Sequence, residues 1–165
     1  MDGRCYHRAM DDRERIFRYN AWANERILGA ATRLGQEQAS TPVAGIYGSV
    51  LETARHMLGV ERVYLELMGG NPPALPEDLD AAGLKETAAD LGSAYQAFLA
   101  SLSIADLGRR FRVPWFDREF TVSDGLAQVA THSIEHRADL ASAISRLGVA
   151  TPPLDYIFWV MATEA

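Results

Sequence analysis

A single cysteine, Cys5, is all the thiol chemistry that the 165 residues contain. No internal disulfide can form, and the expected setting is cytoplasmic. A lone thiol so near the terminus reads as incidental, with a reactive thiol as the other option. Long apolar runs are missing too: nothing approaches the roughly 18 residues of a membrane span, and the opening MDGRCYHRAMDDRER has no signal-peptide core. Basic surplus is also lacking, with 16 Lys and Arg against 22 Asp and Glu and a net charge of −6. That balance argues against a nucleic-acid partner, which needs a concentrated basic patch. The densest basic run, Arg109, Arg110 and Arg112, reads as a solvated loop or helix end. What is present is ordinary for a globular protein, 48% hydrophobic and 23% charged, and the expectation is one domain over residues 1–165.

Helical periodicity dominates the chain. From about Asp11 to Leu34 the apolar residues Ile16, Phe17, Trp22, Ala23, Ile27, Ala30 and Leu34 recur at helical spacing, and Gly35 supplies a stop. A second helix is expected from about Tyr47 to Met68, ending at Gly69-Gly70. The segment NPPALPEDLD holds Pro72, Pro73 and Pro76 and cannot be a helix interior. A third helix spans about Leu84 to Leu102. RRFRVPWFDREFTV then reads as a short ribbon or extended connector. Thr121 begins the fourth helix as an N-cap, with Asp124 in capping-box position, and that helix closes on Gly148. The apolar tail LDYIFWVMA is expected to pack back on the bundle. The Pro-rich link is long enough to return along the bundle, so helices two and three can be parallel or antiparallel.

Chemistry concentrates on histidine, of which there are four: His7, His56, His132 and His136. His132 and His136 stand four apart, which on a helix puts both imidazoles on one face, one turn apart. A pair on a rigid helix can chelate one cation. His56 alone reads as a hydrogen-bonded core or groove residue, since a stranded buried imidazole costs about 1–3 kcal/mol. Together the three make a plausible nitrogen site between facing helices. His7 reads as exposed and irrelevant, or as a terminal arm reaching the metal. His132 to His136 also matches H-x-x-E-H, in which Glu135 would be a general base, but the motif is short and the chain is small for a peptidase.

The features from Tyr19-Asn20-Ala21-Trp22-Ala23-Asn24 through His56 to H-S-I-E-H-R and the closing Pro-Pro and Asp155 resemble the DinB family over nearly the whole chain. The resemblance implies an all-α four-helix bundle, up-down-down-up, frequently a homodimer, with a divalent metal on three histidines. Carried over by position, these are His56, His132 and His136. Zinc or nickel is the expected metal, with iron and manganese as options. Relatives include thiol-dependent S-transferases and isomerases, so a low-molecular-weight thiol and a small-molecule substrate are implied. A non-catalytic metal-binding bundle is the competing class. The sequence departs from the family's pattern at Tyr64, where tryptophan is frequent, and at Ala138-Asp139 after the His-Arg.

Three neutral imidazoles leave a cation its full charge and an open position, which suits water or thiol activation. Glu52, Glu61, Glu135 and Asp139 are candidates to orient the ligands. Arg137 reads as a solvated surface residue or as the partner of an acidic group. Asn20 and Asn24, four apart, could line a pocket, but solvent-facing positions are the simpler reading. Trp22 reads as a core anchor and Asp155 as a cap for the last segment.

Overall fold

The computed structural model describes residues 3–163, with side chains from Asp12 onward. Cys5 and His7 therefore lie outside the described side chains. Four long helices carry the fold: α1 (Gly3–Ala31), α3 (Val50–Leu67), α4 (Ala81–Ser101) and α5 (Val122–Arg146). Between them lie α2 (Gln36–Ser40), a 3-10 turn (Ala105–Gly108) and the antiparallel ribbon β1 (Arg110–Val113) and β2 (Arg118–Thr121). A last helix, α6 (Tyr156–Thr163), follows.

The ends of these helices follow from local chemistry. Ser49 and Glu52 form a reciprocal capping box at α3, and Thr121 and Asp124 form another at α5. Each satisfies two backbone donors that a helix start would otherwise leave orphaned. Ser103 and Thr121 hold the Asp106 and Asp124 carboxyls below the usual carboxylate range by hydrogen bonding. Gly48, at φ 68°, is required where it stands: a Cβ there would lie 2.4 Å from the Glu52 carboxylate that closes the cap.

The long helices form a ring in which α1 touches α4 and α5, and α3 touches α5 and α4. Their directions follow from who meets whom. Phe17 stacks on Tyr95 at 4.7 Å while Gly29 lies beside Lys85, so α1 and α4 are antiparallel. Met68 reaches Gly125 while His56 reaches His136, so α3 and α5 are antiparallel as well. At the lower end of the α1/α5 seam Phe17 shares a recess with Leu126, and Asn24 bonds Arg137 further along, so these two run parallel. The order is up-down-down-up, and α3 and α4 are parallel. The Pro-rich segment after Gly70 makes that possible by running back the length of a helix.

The core is apolar along every helix except at mid-height. Phe17, Ile27 and Leu28 of α1, Met57, Leu58 and Leu65 of α3, Leu84, Leu91 and Tyr95 of α4, and Leu126, Leu140 and Ile144 of α5 are all buried. The buried face of α1 is rotated from the expected one, because Ile16 is 39% exposed and Asn20 only 3%. Trp22 is half-buried, not a core anchor; its ring sits under the Arg26 guanidinium. The tail does pack back: Trp159 is buried and the Tyr19 hydroxyl donates to the Leu154 carbonyl at 2.8 Å. Asp155 stands directly before α6, where its carbonyl accepts from the Phe158 amide. Arg109, Arg110 and Arg112 are exposed on and beside the ribbon, with Arg109 donating to the Met68 carbonyl and Arg110 and Arg112 paired to Glu119 and Asp117. None of the described helices is long and apolar enough to cross a membrane.

Candidate metal centre

His56 comes from the middle of α3, and His132 and His136 from successive turns of α5. Since α3 and α5 are antiparallel neighbours, the three rings meet on the flank of one seam, half-buried. His132 Nε2 lies 3.2 Å from His56 Nε2 and 3.2 Å from His136 Nε2. The exposed Tyr47 ring stacks on His56 at 4.5 Å and closes one side. Among the described residues this is the one group of three histidine, cysteine or acidic side chains arranged to share a cation.

The charge state suits ligation. Burial, and then the neighbouring His136, lowers the His56 pKa. The same two causes, with His56 added, take His132 down to about 4. Both rings are therefore neutral at pH 7 and have lone pairs to offer. Three ring nitrogens facing one point crowd their lone pairs together. A cation resolves that conflict, and the spacing fits: tetrahedral ligands at about 2.0–2.1 Å stand roughly 3.3–3.4 Å apart. The outward nitrogen of His136, Nδ1, is 3.3 Å from the Asp139 carboxylate, near enough for attraction although not aligned as a hydrogen bond. His132 Nδ1 is buried with no partner among the described residues.

Behind the histidines lies a polar layer that sequence reasoning did not place. Asn20 and Asn24 are 3% and 1% exposed, which corrects the solvent-facing reading, and Arg137 at 2% is no surface arginine. Glu61 is buried with them. One Glu61 oxygen, Oε1, accepts from Asn20 Nδ2 at 3.0 Å, Asn24 Nδ2 at 2.8 Å and Ser133 Oγ at 2.6 Å. Arg137 Nη1 donates to the side-chain oxygens of Asn20 at 2.5 Å and Asn24 at 2.7 Å. The two amides thus bridge a buried carboxylate to a buried guanidinium, each offering its donor to one and its acceptor to the other. Arg137 also lies over the Tyr19 ring at 5.4 Å, and burial lowers its pKa against the opposing pull of Tyr19 and Glu61. A signal for this layer was available. Asn20 and Asn24 fall in register with Phe17 and Ile27, and Ser133 and Arg137 with Val129 and Leu140, so polar residues occupy core positions.

The layer and the ligands are neighbours in sequence: Ser133 follows His132, and Arg137 follows His136. The same hydrogen bonds that join α1, α3 and α5 therefore fix how α5 presents its histidines. The other acidic candidates separate clearly. Glu52 caps α3, Glu61 belongs to the buried layer, and Glu135 is exposed with no hydrogen bond to the histidines. Only Asp139 stands beside a ring. A groove of about 730 Å³ lies against α1, α4 and α6 and includes Trp22 and Trp159. It is on the seam opposite the histidines, so it is no part of this centre.

The sequence profile of the DinB family matches residues 8–164. Protein DinB of Bacillus subtilis (strain 168) is 22% identical over 162 residues, covering 91% of this chain and 94% of the relative. Among solved structures, a DinB-like protein of Bacillus cereus ATCC 10987 superposes with a TM-score of 0.68 at 18% identity, over 82% of this chain and 90% of the other. YfiT of Bacillus subtilis, described as a probable metal-dependent hydrolase with an unusual four-helix bundle topology, gives 0.64 at 20% identity, over 84% and 89%.

Proposed function

The chain belongs to the DinB family, and we propose that it is a divalent-metal-dependent enzyme acting on a small molecule, with the cation held by His56, His132 and His136. The observation that carries this reading is the meeting of three imidazole nitrogens at 3.2 Å on a half-buried flank of the α3/α5 seam. YfiT, which shares the fold, supports a hydrolytic reaction, and a thiol in place of water suits the same centre. A cation on three neutral imidazoles keeps its full charge and lowers the pKa of a water or thiol in its remaining position.

The chain's own residues divide the remaining work. Burial keeps His56 and His132 unprotonated at neutral pH, so no proton competes for the ligand nitrogens. Asp139, beside His136 Nδ1, favours the tautomer in which that nitrogen carries the proton and Nε2 is free. Ser133 and Arg137, tied to Glu61, Asn20 and Asn24, hold α5 at a fixed rotation and height against α3. Tyr47 shields the outer face of His56 from solvent. Glu135 points to solvent and plays no part in proton transfer in this arrangement, which disfavours the peptidase-like alternative.

The test is elemental analysis of the purified protein and of His56→Ala, His132→Ala and His136→Ala, each checked for helicity by circular dichroism. The expected result is about one divalent ion per chain in the parent and its loss in every variant. Full metal retention in any one variant removes that residue from the ligand set. Metal-dependent turnover of ester and amide substrates, against turnover of an electrophile with low-molecular-weight thiols, separates the water from the thiol chemistry. Bound metal with no turnover of either kind favours a non-catalytic bundle.

A further inference from the structure

A second feature opens on the same seam, on the ribbon side of the histidines. The end of α3, the start of α5 and the ribbon enclose a cleft of about 400 Å³, within the range of small-ligand sites. Its walls are the rings of Tyr64, Phe116 and Phe120, with Gln128 and Thr131 along α5. Trp115 stands beside it, edge-on to Tyr64 at 6.1 Å, and Phe116 is edge-on to Phe120 at 6.3 Å. Four aromatic rings thus form a continuous chain from α3 to β2.

Two of these rings are left in water. Trp115 is 53% and Phe116 57% exposed, on a turn that is pinned rather than loose. Pro114 starts its 3-10 turn, Asp117 turns it at φ 52°, and Val113 pairs with Arg118 across its base. Arg112 pairs with Asp117 and Arg110 with Glu119 to brace it. A short paired turn that sets Phe116 on the cleft wall and Trp115 at its edge loses little entropy when a flat apolar molecule fills the cleft.

The cleft's polarity restricts what that molecule is. No cation lines it, and the one carboxylate at its wall, Asp124, is engaged in the α5 cap. The hydrogen-bonding groups along it are neutral: the Gln128 amide, the Tyr64 hydroxyl, and the Thr131 hydroxyl, which already donates to the Ala127 carbonyl. Gln128 lies one turn, about 6 Å, before His132, and Tyr64 lies eight residues, about 12 Å, beyond His56. The α5 wall of the cleft therefore ends at Thr131, next in sequence to His132 and within about one turn of the histidine pair.

We infer that this cleft is the subsite for an uncharged aromatic portion of the substrate, gripped by Tyr64, Phe116 and Phe120 with Trp115 at its edge, while its reacting group reaches the three histidines. This rests on the metal-centre reading above, and the experiment separates the two. The protein, labelled with 15N and loaded with zinc, is titrated with 2-naphthol and, in parallel, with cyclohexanol. The Trp115 indole signal is assigned by its loss in Trp115→Phe. 2-Naphthol is expected to move that signal and the Gln128 and Thr131 amides, cyclohexanol about tenfold less, and Phe116→Ala is expected to weaken 2-naphthol about fivefold. A response confined to Trp22 and Trp159, an equal response to cyclohexanol, or none in a zinc-loaded protein overturns the subsite. So does a Trp115 signal that shifts with protein concentration alone, which would show a second copy covering the turn. In His132→Ala, 2-naphthol shifts that persist after zinc is lost support the subsite. Zinc retained there removes His132 from the ligand set and leaves the subsite standing.

Discussion

Arg137 and Glu61 are the two residues whose burial demands most of their surroundings, and everything around them answers that demand. A lone buried ion is unfavourable by several kcal/mol, so each depends on the other through Asn20 and Asn24. Arg137→Met strands the Glu61 carboxylate and is expected to cost about 3–5 kcal/mol in urea unfolding. Adding Glu61→Gln to Arg137→Met should recover part of that loss, a coupling that a double-mutant cycle reads directly. His132 yields a pH prediction for the metal-free protein. Its folded pKa is about 4 against an ordinary 6.5, so between these values the unfolded chain binds a proton that the folded chain does not. Stability from this group is then complete above about pH 6.5 and is lost as pH falls toward about 4. Urea midpoints measured across that window should fall with pH, and His132→Gln should flatten part of the fall.

At the scale of elements, most boundaries were legible because they are local. The capping pair Thr121 and Asp124 begins α5 where the sequence predicts, and the aromatic stretch before it is a ribbon. The start of α3 lies at Val50, set by the Ser49 capping box, and the short α2 was not foreseen; five residues carry no periodicity to read. Thr121→Ala removes one side of a capping box and is expected to lower stability by about 1 kcal/mol. The cap lies three turns before His132, so metal content should not change; denaturation and elemental analysis on one sample check both halves of that statement. The face of α1 was misjudged for a physical reason. Counting apolar residues gives the stripe containing Ile16 and Trp22, whereas the true stripe runs through Asn20 and Asn24, polar residues that are buried because partners on α3 and α5 satisfy them.

For the whole molecule, the up-down-down-up order sets the histidine seam and the α1/α4 seam on opposite sides of the bundle. The latter is tight at one point: a Cβ on Gly92 would lie 2.7 Å from the Ala21 Cβ. Gly92→Val should therefore wedge α1 from α4 and cost about 1–3 kcal/mol, read as a lowered melting temperature. Metal stoichiometry should survive, because the three ligands lie across the bundle. Loss of metal in that variant would show that the two seams are coupled through the polar layer.

By itself the sequence determined what depends on neighbours along the chain: the helices and their caps, the ribbon, and a histidine pair whose four-residue spacing sets both rings on one face. Its few histidines also offered His56 as a third ligand, and the resemblance in its motifs implied the same set and the up-down-down-up order. Only the tertiary structure decided which seam His56 shares with that pair, that Glu61, Asn20, Asn24 and Arg137 close into one buried layer behind it, and that aromatic rings from α3 and the ribbon open a cleft beside it. The helical period fixes which residues share a face. Which faces meet is fixed by how the connectors route each helix and by which polar groups find partners on burial, and neither is written in local spacing.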